Sequence, residues 1–183
     1  TFADGGTYEG TWSGGKINGD GTVIYATGVR YTGQFKAGEP HGEGRLEAPS
    51  GYIYQGTWVD GLRDGTGTIT YPDGATYEGA MKGGKREGEG TLTTAEGVTF
   101  TGLWSNGQIE GEGRLVQANG DVFEGTFVAG KRQGKGRVVY ANSDTYEGDF
   151  QDDFRHGKGI LTGSDGFRYD GDWVEGEIQG EGR

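Results

Sequence analysis

The residues that could do chemistry in this chain are few in type and regular in spacing. The segment Gly15-Lys16-Ile17-Asn18-Gly19-Asp20-Gly21 has the glycine density of a phosphate-cradling loop. It has no Gly-Lys-Ser/Thr and no helical pattern after it, so a hairpin turn is the better reading. His41 and His156 are 115 residues apart at the same position of a repeating unit. Too distant to share a metal within one chain, they read as turn histidines, or as zinc ligands that another chain would complete. Glu9, Glu78, Glu124, Glu147 and Asp170 recur at one outward position, which describes a solvated face rather than an acid–base pair. The absence of cysteine excludes disulfides, Cys-ligated metals and a thiol nucleophile. No catalytic residue and no cofactor is predicted, and enzyme activity is not expected.

Charge narrows the partners. Seventeen basic against 28 acidic residues give a net −11, which argues against nucleic acid and against adsorption to anionic membranes by bulk charge. One stretch departs from the average: Lys131, Arg132, Lys135 and Arg137, with Arg155 and Lys158 one unit later, form a candidate patch for an anionic headgroup or acidic partner. No apolar run approaches the ~20 residues of a membrane-spanning helix.

What must position all of these residues is a repeat. An aromatic-x-Gly triplet starts at Tyr8, Tyr31, Tyr54, Tyr77, Phe100, Phe123, Tyr146 and Tyr169, always 23 residues apart. Glycine follows each leading aromatic after two, eleven and thirteen residues in all eight copies, ending with Gly180 and Gly182. Two further glycine positions fail once each, at Asp153 and Ser143. Together these five positions hold 38 of the 42 glycines, so the repeat accounts for the composition.

Each unit alternates like a strand pair. Tyr8, Gly10 and Trp12 point to one face and Glu9 and Thr11 to the other. After a turn over Gly15 to Gly19, the run Gly21 to Tyr25 forms a second strand, and Ala26-Thr27-Gly28 turns again. Glycine interrupts every would-be helix, so helix content should be close to nil. A lone hairpin cannot bury a core, so the units must stack. The expected fold is all-β, an elongated single-layer antiparallel array of hairpins forming a twisted open trough, about 75 Å long for sixteen strands at ~4.8 Å spacing. Its groove aromatics are Tyr8, Trp12, Tyr31, Phe35, Tyr54, Trp58, Tyr77, Phe100, Trp104, Phe123, Phe127, Tyr146, Phe150 and Tyr169, with Met81 standing where the other units carry a second ring. Trp12, Trp58 and Trp104 are each expected to stack on the leading aromatic of the next unit, with rings lying flat over the inward glycines.

Tyr146-Glu147-Gly148-Asp149-Phe150, followed by Arg155-His156-Gly157-Lys158-Gly159, resembles the MORN motif (membrane occupation and recognition nexus), and the resemblance runs over essentially the whole chain. It implies a trough of successive hairpins. It also implies one of two roles: a cytoskeletal scaffold that binds proteins, as in the all-MORN members of protists, or a phospholipid-binding module. No appended catalytic segment is present. The net charge favours a cytoplasmic, cytoskeleton-associated scaffold that takes other cytoskeletal proteins or peptides in its trough. Phe2-Ala3-Asp4-Gly5 matches Tyr25-Ala26-Thr27-Gly28, so the array is expected to continue before Thr1. At the other end, Phe154 and Phe167 break the aromatic register and Trp173 is expected to be poorly covered. These three residues are the candidate homodimer interface.

Overall fold

The computed structural model describes residues 1–180; Glu181 and Gly182, the latter the last glycine of the eighth copy, lie outside them. The chain divides into two compact units, residues 1–95 and 96–183. The first holds β1 (Thr7–Ser13), β2 (Lys16–Ile24), β3 (Arg30–Lys36), β4 (Glu39–Glu47), β5 (Ile53–Val59), β6 (Leu62–Thr70), β7 (Thr76–Lys82) and β8 (Lys85–Thr93). The second holds β9 (Thr99–Ser105), β10 (Gln108–Val116), β11 (Val122–Val128), β12 (Lys131–Val139), β13 (Thr145–Gln151), β14 (Phe154–Thr162), β15 (Arg168–Val174) and β16 (Glu177–Gln179). There is no helix among the described residues. Within each unit the strands pair antiparallel in chain order, and the first and last do not pair with each other. Each unit is therefore an open meander of hairpins.

The glycines divide into distinct mechanical jobs. The first turn is only two residues long, as at Ala37-Gly38, Asp60-Gly61 and Asn106-Gly107, with positive φ at both. That is the primed turn whose twist matches antiparallel strands. The turn read over Gly15 to Gly19 is thus too long, because Lys16 to Gly19 already belong to β2. What the alternation hides is a bulge. Gly10 pairs with Gly21 but Trp12 pairs with Ile17, so Asn18, Gly19 and Asp20 oppose Thr11 alone. Gly19 takes φ +79° there, and a Cβ would run into the Thr11 hydroxyl.

Beside the bulge runs an unbroken cross-strand row, Gly10, Gly21, Gly33, Gly44, Gly56, Gly67, Gly79 and Gly90. The next row alternates leading aromatics with aliphatics, Tyr8 to Val23 to Tyr31 to Leu46 and onward. Each leading ring from Tyr8 to Tyr146 leans over the two glycines of its own hairpin, which lack any Cβ to keep it off. Tyr31, Tyr54, Tyr77 and Tyr146 are fully buried this way. Their hydroxyls donate to the carbonyls of Gln34, Thr57, Ala80 and Asp149 at 2.8–2.9 Å.

This lean sets the direction of packing, and it reverses the expected one. Trp58 meets Tyr54 of its own repeat and Tyr31 of the preceding repeat, at 5.1 and 5.2 Å, and does so edge to face rather than flat. Phe127 sits between Phe123 and Phe100, and Phe150 between Tyr146 and Phe123. The Trp58 indole Nε1 donates to Gly44 O, again in the preceding repeat. Among the described rings Trp12 meets Tyr8 alone, and it is 59 % exposed, so it is not a core residue here.

Candidate functional site

The ring-bearing face carries a second layer made by the ninth residue after each leading aromatic. At Arg63, Arg86, Arg132 and Arg155 that residue lays its guanidinium 5.5–5.7 Å over leading rings, Arg132 is also 5.4 Å over Phe150, and Arg155 comes within 4.2 Å of Trp173. Each of Arg63, Arg132 and Arg155 also reaches into the next repeat's first turn. Nη2 donates to the carbonyl oxygen of Gly84, Asp153 and Gly176, respectively, at 2.6–2.8 Å. Each arginine's own carbonyl accepts the N–H of that same turn residue. These arginines are clasps between successive hairpins. The position is occupied elsewhere by Ile17, Pro40, Ile109 and Ile178, which is why the repeat pattern alone does not reveal it.

In the second unit this face opens into a cleft of about 580 Å³. Phe123, Phe150 and Val138 form its floor, Arg132 and Arg155 its walls, and Tyr140, Asp121, Asp153 and Phe154 part of its rim. Of the expected groove aromatics, only Phe123 and Phe150 line it. Arg132 donates through Nε to Asp153 Oδ1 at 3.3 Å. Arg155 Nη1 donates to the Tyr140 hydroxyl at 3.4 Å. Tyr140 lies near the rim, while burial pushes the Tyr146 hydroxyl up to about 12.

The cationic patch does not assemble. Arg132 and Arg155 face the rings, whereas Arg137, which pairs with Glu147 across the sheet, belongs to the opposite face. Every one of the six cations is also engaged. Lys131 pairs with Asp152, Arg132 with Asp153, Lys135 with Asp149, Arg137 with Glu147 and Lys158 with Asp172, at 2.7–3.3 Å. Arg155 is held between Tyr140 and Gly176 over two rings. The Lys135 bond holds the Asp149 carboxyl below its ordinary value, and Asp172 raises Lys158. Carboxylates one strand away cancel the positive run that the linear sequence suggests.

The remaining candidates separate cleanly. His41 belongs to a turn clasp, its Nδ1 accepting the Asp60 N–H at 3.4 Å. Asn18, Asp64 and Glu110 do the same at their own positions. His156 lines a hollow with Gln151, Asp152, Phe154 and Glu175. No three His, Cys, Asp or Glu residues gather as a metal site among the described residues. Phe154 and Phe167 are each 53 % exposed, but Trp173 is 1 % exposed. The expectation of a poorly covered Trp173 is overturned by its packing against Tyr146, Tyr169 and Arg155, with Nε1 donating to Gly159 O at 3.1 Å. Its cover comes from its own repeat and the one before it, so the dimer reading is left with the two phenylalanines.

Comparison with solved structures finds the same architecture at low identity. The TCP domain of SAS-4 (dCPAP) of Drosophila melanogaster, solved in complex with a proline-rich motif of Ana2 (dSTIL), matches with TM-score 0.55 and 16 % identity. The match covers 93 % of this chain and 92 % of that one. The wild-type TCP10 domain of Danio rerio CPAP, in complex with a peptide of Danio rerio STIL, matches with TM-score 0.41 and 16 % identity over 94 % and 92 % of the two chains. No curated protein sequence matches significantly. The MORN repeat family model matches eight consecutive segments, 8–30, 31–51, 54–76, 77–99, 100–122, 123–145, 146–168 and 169–183, in step with the leading aromatics, and the chain belongs to the MORN repeat family.

Proposed function

We propose that this chain is a non-enzymatic, cytoskeleton-associated scaffold of the cytoplasm that holds extended segments of partner proteins against its ring-bearing face. The observation that carries the reading is the cleft of the second unit, whose floor is aromatic and whose walls are arginine planes already fixed by their clasps. Such a surface suits a polyproline-II segment, which brings flat apolar rings and little ordering entropy. The fly domain of similar fold was solved with a proline-rich motif bound, which supports the same ligand class here. The test is an amide chemical-shift titration with a proline-rich peptide. Shifts confined to residues lining the cleft, from Gln117 to Arg155, are expected; none at millimolar peptide would sink the reading.

Homodimerisation has its own observation, the exposure of Phe154 and Phe167. Light scattering should give a dimer mass that falls to a monomer's in Phe154→Ser/Phe167→Ser. A monomeric parent would end that proposal. The membrane alternative is disfavoured by the ion pairing of the patch. Binding to phosphoinositide vesicles should be weak and lost at physiological salt. Tight sedimentation under those conditions would reinstate it.

A further inference from the structure

The two units differ at several positions of the ring-bearing face, Met81 against Phe150 among them, and one of these differences indicates what the cleft takes. Three repeats separate Tyr54 from Phe123, Arg63 from Arg132, Ile69 from Val138 and Tyr71 from Tyr140, so these four pairs occupy equivalent positions. Every member of the second set lines the cleft. The same offset relates Tyr52 to Asp121, which also lines it. In the first unit the Tyr52 ring lies between these walls. It meets Tyr71 edge to face at 6.1 Å, Arg63 sits 5.8 Å over it, and Arg63 Nη1 donates to its hydroxyl. In the second unit the equivalent position offers a short carboxylate that is engaged by its own loop and by the next one. Asp121 Oδ1 accepts the Ala141 N–H and Oδ2 accepts from Asn119 Nδ2, at 2.9 and 3.0 Å.

The arginine records the same vacancy. Arg63 and Arg155 both use Nη2 on a turn carbonyl and Nη1 on a tyrosine hydroxyl. Arg132 uses Nη2 on the Asp153 carbonyl and Nε on the Asp153 carboxylate. Its Nη1 has no hydrogen-bond partner among the described residues, and the side chain keeps 26 % of its surface exposed. A donor on a rigid, ring-stacked guanidinium therefore points to a space walled by an aromatic edge.

We propose that this cleft anchors a tyrosine side chain of an extended protein partner, seated as Tyr52 is seated in the first unit. The ring would pack against Tyr140 and above Phe123, and the hydroxyl would accept from Arg132 Nη1. This rests on the peptide-binding reading above and adds to it a specific anchor, with Asp121 as the residue that keeps the site open by not filling it.

The probe is the peptide acetyl-Pro-Pro-Tyr-Pro-Pro-amide, titrated calorimetrically beside versions with Phe or Ala in place of Tyr. The Tyr peptide should bind at one site, at least about tenfold more tightly than the Phe peptide, as expected for one hydrogen bond to a charged donor. The Ala peptide should be weaker still. Asp121→Tyr should fill the cleft from within and weaken the Tyr peptide at least about tenfold, with circular dichroism unchanged. Tyr52→Asp tests the idea in the opposite sense, by opening the equivalent space so that the stoichiometry rises from one to two. Equal binding of all three peptides, or of the Tyr peptide by wild type and Asp121→Tyr, would keep the peptide-binding reading and overturn the tyrosine anchor. Failure of every peptide at millimolar concentration would overturn both. Light scattering that shows the cleft closed only by self-association, with Asp121→Tyr monomeric, would make the occupant a second copy and overturn the partner assignment.

Discussion

Trp12 and Trp173 hold the same position in the first and eighth repeats, and their surroundings differ more than those of any other equivalent pair of rings. Trp12 touches the edge of Tyr8 at 5.5 Å and leaves 59 % of its surface exposed. Trp173 is held at 5.2 Å by Tyr146 and 5.5 Å by Tyr169, is capped by Arg155, and leaves 1 % exposed. The last full strand is thus the better covered. Within each unit the second ring meets the leading ring of its own repeat and gains further cover from the leading ring of the repeat before it, as Trp58 does from Tyr31 and Trp173 from Tyr146. Among the described rings Trp12 meets Tyr8 alone.

Two truncations would break or establish that contrast. Trp173→Ala should cost about 3–5 kcal/mol, as removal of a fully packed indole does, and Trp58→Ala should cost as much. Trp12→Ala should cost under ~1 kcal/mol. Denaturant melts read all three, and comparable losses at Trp12 and Trp173 would refute that difference in cover. Alanine insertion under the rings sharpens the contrast at lower cost. A Cβ on Gly159 would collide with the Tyr146 ring, which is buried and cannot retreat, for a loss of about 2–3 kcal/mol. A Cβ on Gly21 meets the Tyr8 ring, which is only partly covered and can swing aside, for a loss under ~1 kcal/mol.

The phenols give the same contrast a pH dependence. Burial raises the Tyr54, Tyr77 and Tyr146 hydroxyls from 10.0 to about 12, and it raises Tyr31 as well. Between pH 10 and 12 the unfolded chain releases these protons and the folded chain keeps them, so stability is complete below pH 10 and falls as pH rises through that window. The thermal midpoint should therefore drop by several degrees across it. Tyr146→Phe should flatten part of the fall, since Phe123 shows that the position tolerates a ring without a hydroxyl. An alkaline limb unchanged by Tyr146→Phe would count against the burial of that hydroxyl.

The period, the hairpins and the absence of helix among the described residues were legible in the sequence, because a 23-residue spacing fixes which residues share a face whichever way the units pack, whereas the exposure of Trp12 and the burial of Trp173 were not. Nor was the direction of packing. A ring between two leading aromatics is compatible with either neighbour until the bulge at Gly19 and the lean over Gly10 and Gly21 are known. The cationic patch misled for a related reason: residues adjacent in sequence alternate between faces, and the neutralising Asp149 and Asp172 arrive from other strands and Asp152 from the next repeat's turn. The cleft has one sign in the sequence. Tyr52 breaks the aromatic register as Phe154 and Phe167 do, and it marks the unit in which the site is already filled.

The smallest effect concerns the turn that delivers β13, the strand whose Tyr146 covers Trp173. Seven repeats place glycine three residues before the leading aromatic, where it follows a tight turn and takes a left-handed conformation, as at Gly120 with φ +93° and Gly166 with φ +91°. The sixth-to-seventh connection places Ser143 there at φ +71°. Its N–H donates to Tyr140 O at 2.9 Å, as Gly120 N–H does to Gln117 O, so the backbone geometry is kept in spite of the side chain. A Cβ in this region crowds the neighbouring carbonyl and costs roughly 1 kcal/mol, while glycine returns some of that through the greater entropy of the unfolded chain. Ser143→Gly should therefore raise stability by about 0.5 kcal/mol, a shift of a degree or two in melting. Because the change lies behind Tyr146, it should add to Trp12→Ala and lose its benefit in Trp173→Ala if the turn acts through the ring it positions. Simple additivity with both would confine the gain to the turn itself.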